Sequence, residues 1–350
     1  MSDAAHDTTW ADLPPWLNGI ADEMLSRRAR WPHALLLGGR QGLGKRALAL
    51  HWARALLCEA PQADGDACGK CPSCRLVVGS NHPDLRLIEP VVYDEEGNAE
   101  RTDGIGVDRI RDLTAFAQLS SHRRIAKVAL VVPAEALNAA AANALLKTLE
   151  EPPPGTFLIL VSHQPGRLPA TIISRCRRLP VAEPESEAAA AWLAGQGIGD
   201  PRAALARAGG APLLALALSA PQSERNREAL IAELARPERL SPVALGSRID
   251  ALPKDARGDA LAQWLYWLLT WATDLAGVAS GGAPRFHVDR HDVLRGLAPR
   301  VARVPLFRYY QTLLRQRALL AHPLQPRLVA EALLFEYQAL FARPTALAKG

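Results

Sequence analysis

The chain has 350 residues, 49% of them hydrophobic and 22% charged, and a net charge of +5 at neutral pH. That length supports two or three domains with cores of their own, so the chain is expected to fold. No apolar run reaches the roughly 18 residues of a membrane span, since even the densest, Leu265 to Leu275, carries Thr and Asp. The opening MSDAAHDTTWADLPPW has neither the basic flank nor the apolar stretch of a secretory signal, so a soluble, cytoplasmic protein is expected.

In chain order, the first apolar run is Ala34 to Leu37, read as a strand. It runs into GGRQGLGKRALA, in which Gly39, Gly44 and Lys45 fit the phosphate loop G-x-x-x-x-G-K-[ST] until the last position, where Arg46 replaces the hydroxyl. In working nucleotidases that Ser or Thr holds Mg²⁺, while the glycine amides and the lysine cradle phosphate. A helix is expected over Arg46 to Cys58. Cys58, Cys68, Cys71 and Cys74 then follow the spacing C-x9-C-x2-C-x2-C. Four thiolates leave no open coordination position, which describes a structural Zn²⁺ site rather than a catalytic one. Disulfides are the competing reading, disfavoured by the two C-x2-C gaps and the expected compartment.

Further strands are expected at Leu85–Ile88, Val128–Val132 and Phe157–Val161, with helices over Asp108–Leu119 and Asn138–Glu150 between them. This alternation predicts an α/β domain over residues 1–180, a parallel sheet with helices on both faces. Ligands in such sheets sit at the carboxyl ends of the strands, where the glycine-rich loop lies. Strand signals stop after Pro180. A linker from Val181 to Ser186 leads into Ala- and Leu-rich helices, a small helical lid over residues 181–218. Ser219 to Ser223 reads as a second linker, and residues 219–350 as an all-α domain with a loop at Ser280 to Pro284. From Pro284 onward the chain holds 11 Lys/Arg against 4 Asp/Glu. That basic region permits contact with nucleic acid, although solvated arginines on a helix bundle explain it as well.

Four landmarks now stand in order: Pro32-His33-Ala34-Leu35 before the phosphate loop, the four-cysteine module, Asn143-Ala-Leu-Leu-Lys-Thr-Leu-Glu-Glu-Pro-Pro153, and Leu168-Pro-Ala-Thr-Ile-Ile-Ser-Arg-Cys176. Together they resemble the clamp-loader branch of the AAA+ superfamily from Pro32 to about Leu218. The match extends more loosely to His322-Pro-Leu and Glu331-Ala-Leu-Leu334. The resemblance implies a P-loop sheet, a lid and a C-terminal collar domain that packs with neighbouring subunits. Trp264 to Trp271 offers apolar surface for a collar, though an ordinary helix core explains the same residues.

The family's motor subunits need groups that this chain lacks. Arg46 replaces the loop hydroxyl, Val132 and Pro133 stand where the Asp-Glu pair belongs, and Leu213 takes the place of the lid arginine. Glu135 lies two residues beyond the acidic pair. Ser162 falls at the family's phosphate-sensing position, but a hydroxyl at a strand end also serves as a cap. Without these groups nothing orients Mg²⁺ and water, so no intrinsic ATPase is expected and Gly39, Gly44 and Lys45 form a degenerate loop. What survives is Ser174-Arg175-Cys176, whose arginine the family directs at the nucleotide of a neighbour. The resemblance therefore implies a subunit of a hetero-oligomeric DNA polymerase III loader. It would act beside gamma/tau ATPase subunits and a delta subunit, with ATP only on the neighbour, serving a sliding clamp and primed DNA. Cys176 reads as a packed residue rather than a nucleophile. Two alternatives stay open: a gamma/tau-type motor with an eccentric loop, and a stand-alone zinc-containing DNA-binding protein.

Overall fold

The computed structural model describes residues 13–93, 99–102, 104–320 and 325–342. The His322-Pro-Leu segment and the first 12 residues lie outside them. By packing the chain divides into two units, one ending at Pro184 and the other starting at Glu185.

In the first unit α1 (Asn18–Leu25) precedes β1 (Ala34–Gly38), and α2 (Lys45–Leu57) is followed by α3 (Pro72–Val78) and β2 (Leu85–Ile88). A short hairpin, β3 (Val91–Tyr93) with β4 (Ala99–Arg101), leads to α4 (Val107–Gln118) and β5 (Lys127–Val131). Then come α5 (Ala139–Glu150), β6 (Thr156–Ser162), α6 (Ala170–Ile173) and β7 (Arg177–Pro180). Five strands form a parallel sheet in the order β2-β5-β6-β1-β7.

Alternation along the strands explains why both faces are covered. Ala34, Leu36, Ala129, Val131, Leu158 and Leu160 share one apolar cluster with Ile110, Leu113, Leu145 and Ile172 from α4, α5 and α6. The intervening Leu35, Leu37, Val128, Leu130, Ile159 and Val161 point the other way and are just as buried. On that face α2 packs against β1, β5 and β6. Strands buried on both sides must be apolar throughout, which is why these runs are continuous rather than alternating.

The expected strands and helices of this unit are present to within a residue or so. The sequence reading omits β7, whose Arg-Arg-Leu-Pro run is mostly exposed and, among the described residues, pairs only with β1.

The second unit is helical: α7 (Ser186–Gly195), α8 (Pro201–Arg207), α9 (Pro212–Leu218), α10 (Pro221–Leu234), α11 (Pro242–Asp250), α12 (Lys254–Ala279), α13 (His291–Leu297), α14 (Arg303–Ala318) and α15 (Pro326–Ala339). Pro221 opens α10 instead of continuing a linker, because proline at a first helical position gives up only an N–H that the helix leaves unpaired anyway. Ala189, Leu205, Leu218, Leu234, Leu268 and Leu334 belong to one apolar cluster, so α7 to α9 share their core with the later helices. Trp267 and Trp271 are completely buried in it and Trp264 nearly so, which makes the tryptophan run of α12 core rather than surface within this chain. Among the described residues no helix is long and apolar enough to cross a membrane.

Two polar side chains inside this core are paired in series. Trp271 Nε1 donates to Tyr337 Oη at 2.9 Å, and Tyr337 Oη donates to the Leu234 carbonyl at 2.8 Å. Tyr337→Phe should therefore leave the indole N–H and the carbonyl without this partner and cost about 1–3 kcal/mol. Denaturant unfolding at unchanged m-value is the check, and an unchanged midpoint would mean that the pairing contributes nothing.

Candidate functional site

The carboxyl ends of β1 and β6 meet, with Gly38 opposite Ser162. The chain leaves β1 through Gly39, Gly42 and Gly44, which have φ of 154°, 82° and 90°. At Gly39 a Cβ would stand 2.7 Å from the Val181 carbonyl oxygen, so the turn has room only for glycine. The loop delivers Lys45 to the first turn of α2, where it is 2% exposed.

Lys45 fills its own loop. Its Nζ donates to the Gly39 carbonyl at 2.7 Å and also to that of Arg40. Burial lowers the pKa of the ammonium to about 8, although the Glu135 charge works in the opposite direction. Arg46, at the hydroxyl position of the motif, is held by Glu89 just beyond β2: Nε to Oε1 at 2.7 Å and Nη2 to Oε2 at 3.2 Å. A guanidinium there repels a divalent cation instead of binding it. Arg40 pairs with Glu183 at 2.7 Å.

The other positions singled out in the sequence are equally committed. Val132 is buried after the end of β5. Glu135 stands on a short 3₁₀ turn and accepts the N–H groups of His163 and Gln164 through Oε1, at 2.8 and 3.1 Å. Its Oε2 is buried without a hydrogen-bond partner. The fully buried Ser162 accepts the Gln164 N–H at 3.1 Å, the behaviour of a strand cap. Leu213 is in the first turn of α9. Cys176 is packed in the apolar cluster of the sheet, and burial pushes its thiol up to about 11, which fits a core residue and not a nucleophile.

Arg175 lies elsewhere. It follows α6 and precedes β7, whose parallel pairing with β1 sets Arg177 opposite Leu35 and Pro180 opposite Gly38. Arg175 is thus beyond the amino end of the strands while Lys45 is beyond the carboxyl end. Its Nε donates to Glu150 Oε1 at 2.7 Å, and Nη1 donates to the Thr171 carbonyl at 2.9 Å. The four-residue spacing from Thr171 is legible in the sequence; the Glu150 partner is not.

The four sulfurs of Cys58, Cys68, Cys71 and Cys74 lie within 4.8 Å of one another. Cys58 and Cys71 Sγ are 3.9 Å apart, far beyond the about 2.05 Å of a disulfide. A tetrahedral ion with metal–sulfur bonds near 2.3 Å requires sulfurs about 3.8 Å apart. Backbone N–H groups already point at the sulfurs: Cys68 N–H donates to Cys58 Sγ at 3.3 Å, Cys71 N–H to Cys68 Sγ at 3.4 Å, and Cys74 N–H to Cys71 Sγ at 3.4 Å. The N–H groups of Lys70 and Cys71 lower the Cys68 thiol to about 6, whereas burial pushes Cys74 up to about 12. The donor set fits one metal ion. Glu59 anchors the module by accepting from Ser73 Oγ at 2.8 Å and from Arg123 at 2.7 Å.

The chain is similar to known proteins. A family model described as DNA polymerase III, delta subunit, matches residues 22–185. The DNA polymerase III subunit delta-prime of Pseudomonas aeruginosa is 36% identical over 339 residues, which cover 94% of this chain and 98% of that one. The subunit of the same name from Escherichia coli is 35% identical over 291 residues, covering 81% and 82%. A gamma subunit-related protein of DNA polymerase III from Thermotoga maritima, of known structure, aligns at a TM-score of 0.42 with 19% identity, covering 92% of this chain and 100% of that one.

The lowered pKa of Lys45 has a measurable consequence. Between about pH 8 and its ordinary value of 10.5 the unfolded chain binds a proton there that the folded chain does not. The Lys45 contribution to stability therefore rises with pH across that window, by up to about 1.4 kcal/mol per pH unit. Comparing the pH dependence of unfolding for the native chain and Lys45→Met isolates it; parallel curves between pH 8 and 10 would contradict the lowering of the Lys45 pKa by burial.

Proposed function

The chain belongs to the family of DNA polymerase III delta-prime subunits, and from that premise we propose that it is a non-hydrolysing subunit of the clamp loader that lends Arg175 to the ATP site of a neighbouring subunit. The observation that carries this reading is the separation of Arg175 from the phosphate loop. One sits at the amino edge of the sheet and the other at the carboxyl edge, so Arg175 is badly placed to serve Lys45's own loop. A planar, permanently charged donor at the surface suits phosphate oxygens on another chain.

The condition of the loop supports the same reading. Lys45 is turned onto the loop carbonyls, Arg46 is paired with Glu89, and the acids that would hold Mg²⁺ are replaced by Val132 and Pro133. The loop then serves as the turn that builds the β1–α2 corner. In this reading the sheet domain spans residues 1–180, residues 181–218 act as the lid and residues 219–350 contribute to a collar shared with gamma/tau and delta subunits. The assembled ring places the sliding clamp on primed DNA in the cytoplasm, and ATP is bound by the neighbour. The ion at Cys58, Cys68, Cys71 and Cys74 is Zn²⁺, in a structural role, because an all-sulfur tetrahedral set suits that ion and leaves no site for substrate.

Two measurements test these statements. In the reassembled loader, Arg175→Ala should lower ATP hydrolysis stimulated by clamp and primed DNA by about tenfold or more, given that trans arginine fingers supply about 10³–10⁵ in GTPases. Arg175→Lys should restore little, because the ammonium lacks the two-point contact. Unchanged hydrolysis would remove the finger. For the metal, elemental analysis should find one zinc per chain, and strong chelation or Cys74→Ser should lower the unfolding temperature of the isolated chain. Retention of the same unfolding temperature after complete zinc removal would show that the cluster holds no structural ion.

A further inference from the structure

Arg175 is held by its own chain on almost every side. Nε donates to Glu150 Oε1 at 2.7 Å and Nη2 makes the second, shorter arm of the same ion pair. Nη1 donates to the Thr171 carbonyl at 2.9 Å and to Ser174 Oγ at 3.4 Å. Of the five N–H groups of a guanidinium this leaves a single one, on Nη2, without an acceptor in these contacts. The edge taken by Glu150, Nε with Nη2, is one that arginine offers to carboxylates and phosphates in two-point contact.

Glu150 is an unusual place for that acceptor. It is the last residue of α5, where the carbonyl end of the helix disfavours a carboxylate, and a cation alongside offsets the mismatch. The pair is also open to water, with side-chain exposures of 34% for Arg175 and 48% for Glu150, so it is weak enough to exchange. A terminal phosphate carries more charge than a carboxylate, and the same guanidinium edge suits it.

Resting on the reading of Arg175 as a donor in trans, we infer that Glu150 is the positioning residue that holds Arg175 withdrawn, and that the terminal phosphate on the neighbouring subunit must displace its carboxylate from the Nε/Nη2 edge. In the absence of that phosphate the guanidinium returns to Glu150. The population of competent Arg175 is reduced by the strength of the pair, and the apparent activity of the neighbouring site falls by the same factor.

The test uses the reassembled loader, with ATP titrated in the absence of clamp and DNA, and compares the native chain with Glu150→Gln, Arg175→Ala and the double variant. Glu150→Gln should raise kcat/KM for ATP by about two- to fivefold, the worth of a half-exposed ion pair. The same change should have no effect once Arg175 is alanine. Glu150→Asp, one methylene shorter and still charged, should move in the same direction and guards against a folding defect, with the unfolding temperature of each isolated chain as the control. A fall of Glu150→Gln towards the Arg175→Ala value would overturn the inference, since Glu150 would then be holding the arginine in its working position. No change in Glu150→Gln would overturn it too. Failure of the underlying reading is separable, because Arg175→Ala alone would then leave hydrolysis intact and the withdrawal would fall with it.

Discussion

The parallel pairing of β1 with β7 is the constraint on which the rest depends. A parallel ladder aligns the strands head to head, so whatever precedes β7 is at the opposite edge from whatever follows β1. Leu35 to Gly38 alone spans roughly 10 Å at about 3.3 Å per residue, and Arg175 and Lys45 lie beyond its two ends. The sheet thus keeps one chain's cationic donor away from the same chain's phosphate loop. Within one chain the two groups do not meet at a single phosphate.

Charge compensation follows a consistent pattern around both edges. Arg40, Arg46 and Arg175 are matched with Glu183, Glu89 and Glu150, while Lys45 is satisfied by loop carbonyls. The degree of burial separates their consequences. Lys45 is inside, and its hydrogen bonds compensate a desolvation that water would otherwise relieve. Arg175 is at the surface, where an ion pair is worth little and can be traded for a better anion. The buried cation and the exposed one therefore differ less in partner than in access to solvent.

The cysteine module is tied to the sheet domain by ordinary polar contacts rather than by core. Its own apolar cluster is little more than Cys58, Ala67 and Cys74 with Cys68 and Cys71 against them. Such a segment has too little apolar surface to order itself, and a metal ion held by the four sulfurs would supply what burial cannot. Glu59, bridging Ser73 and Arg123, carries that order to the turn that leads into β5.

The alternation of strands and helices was legible in the residues alone, because runs buried on both faces must be continuously apolar and their lengths exclude long helices. The residues alone also showed which groups the phosphate loop lacks and that four thiols stand at metal spacing, since both are matters of residue type and local order. They did not disclose β7, an exposed edge strand whose Arg-Arg-Leu-Pro run has no hydrophobic period, nor that Pro221 begins a helix. It took the folded chain to show that the tryptophans of α12 face inward, that Glu89 answers Arg46 and that Glu150 answers Arg175. Those partners are 43 and 25 residues apart in the chain. The physical reason is that pairing of charges at such separations depends on the register of strands and the docking of helices, and no local pattern of residues encodes either.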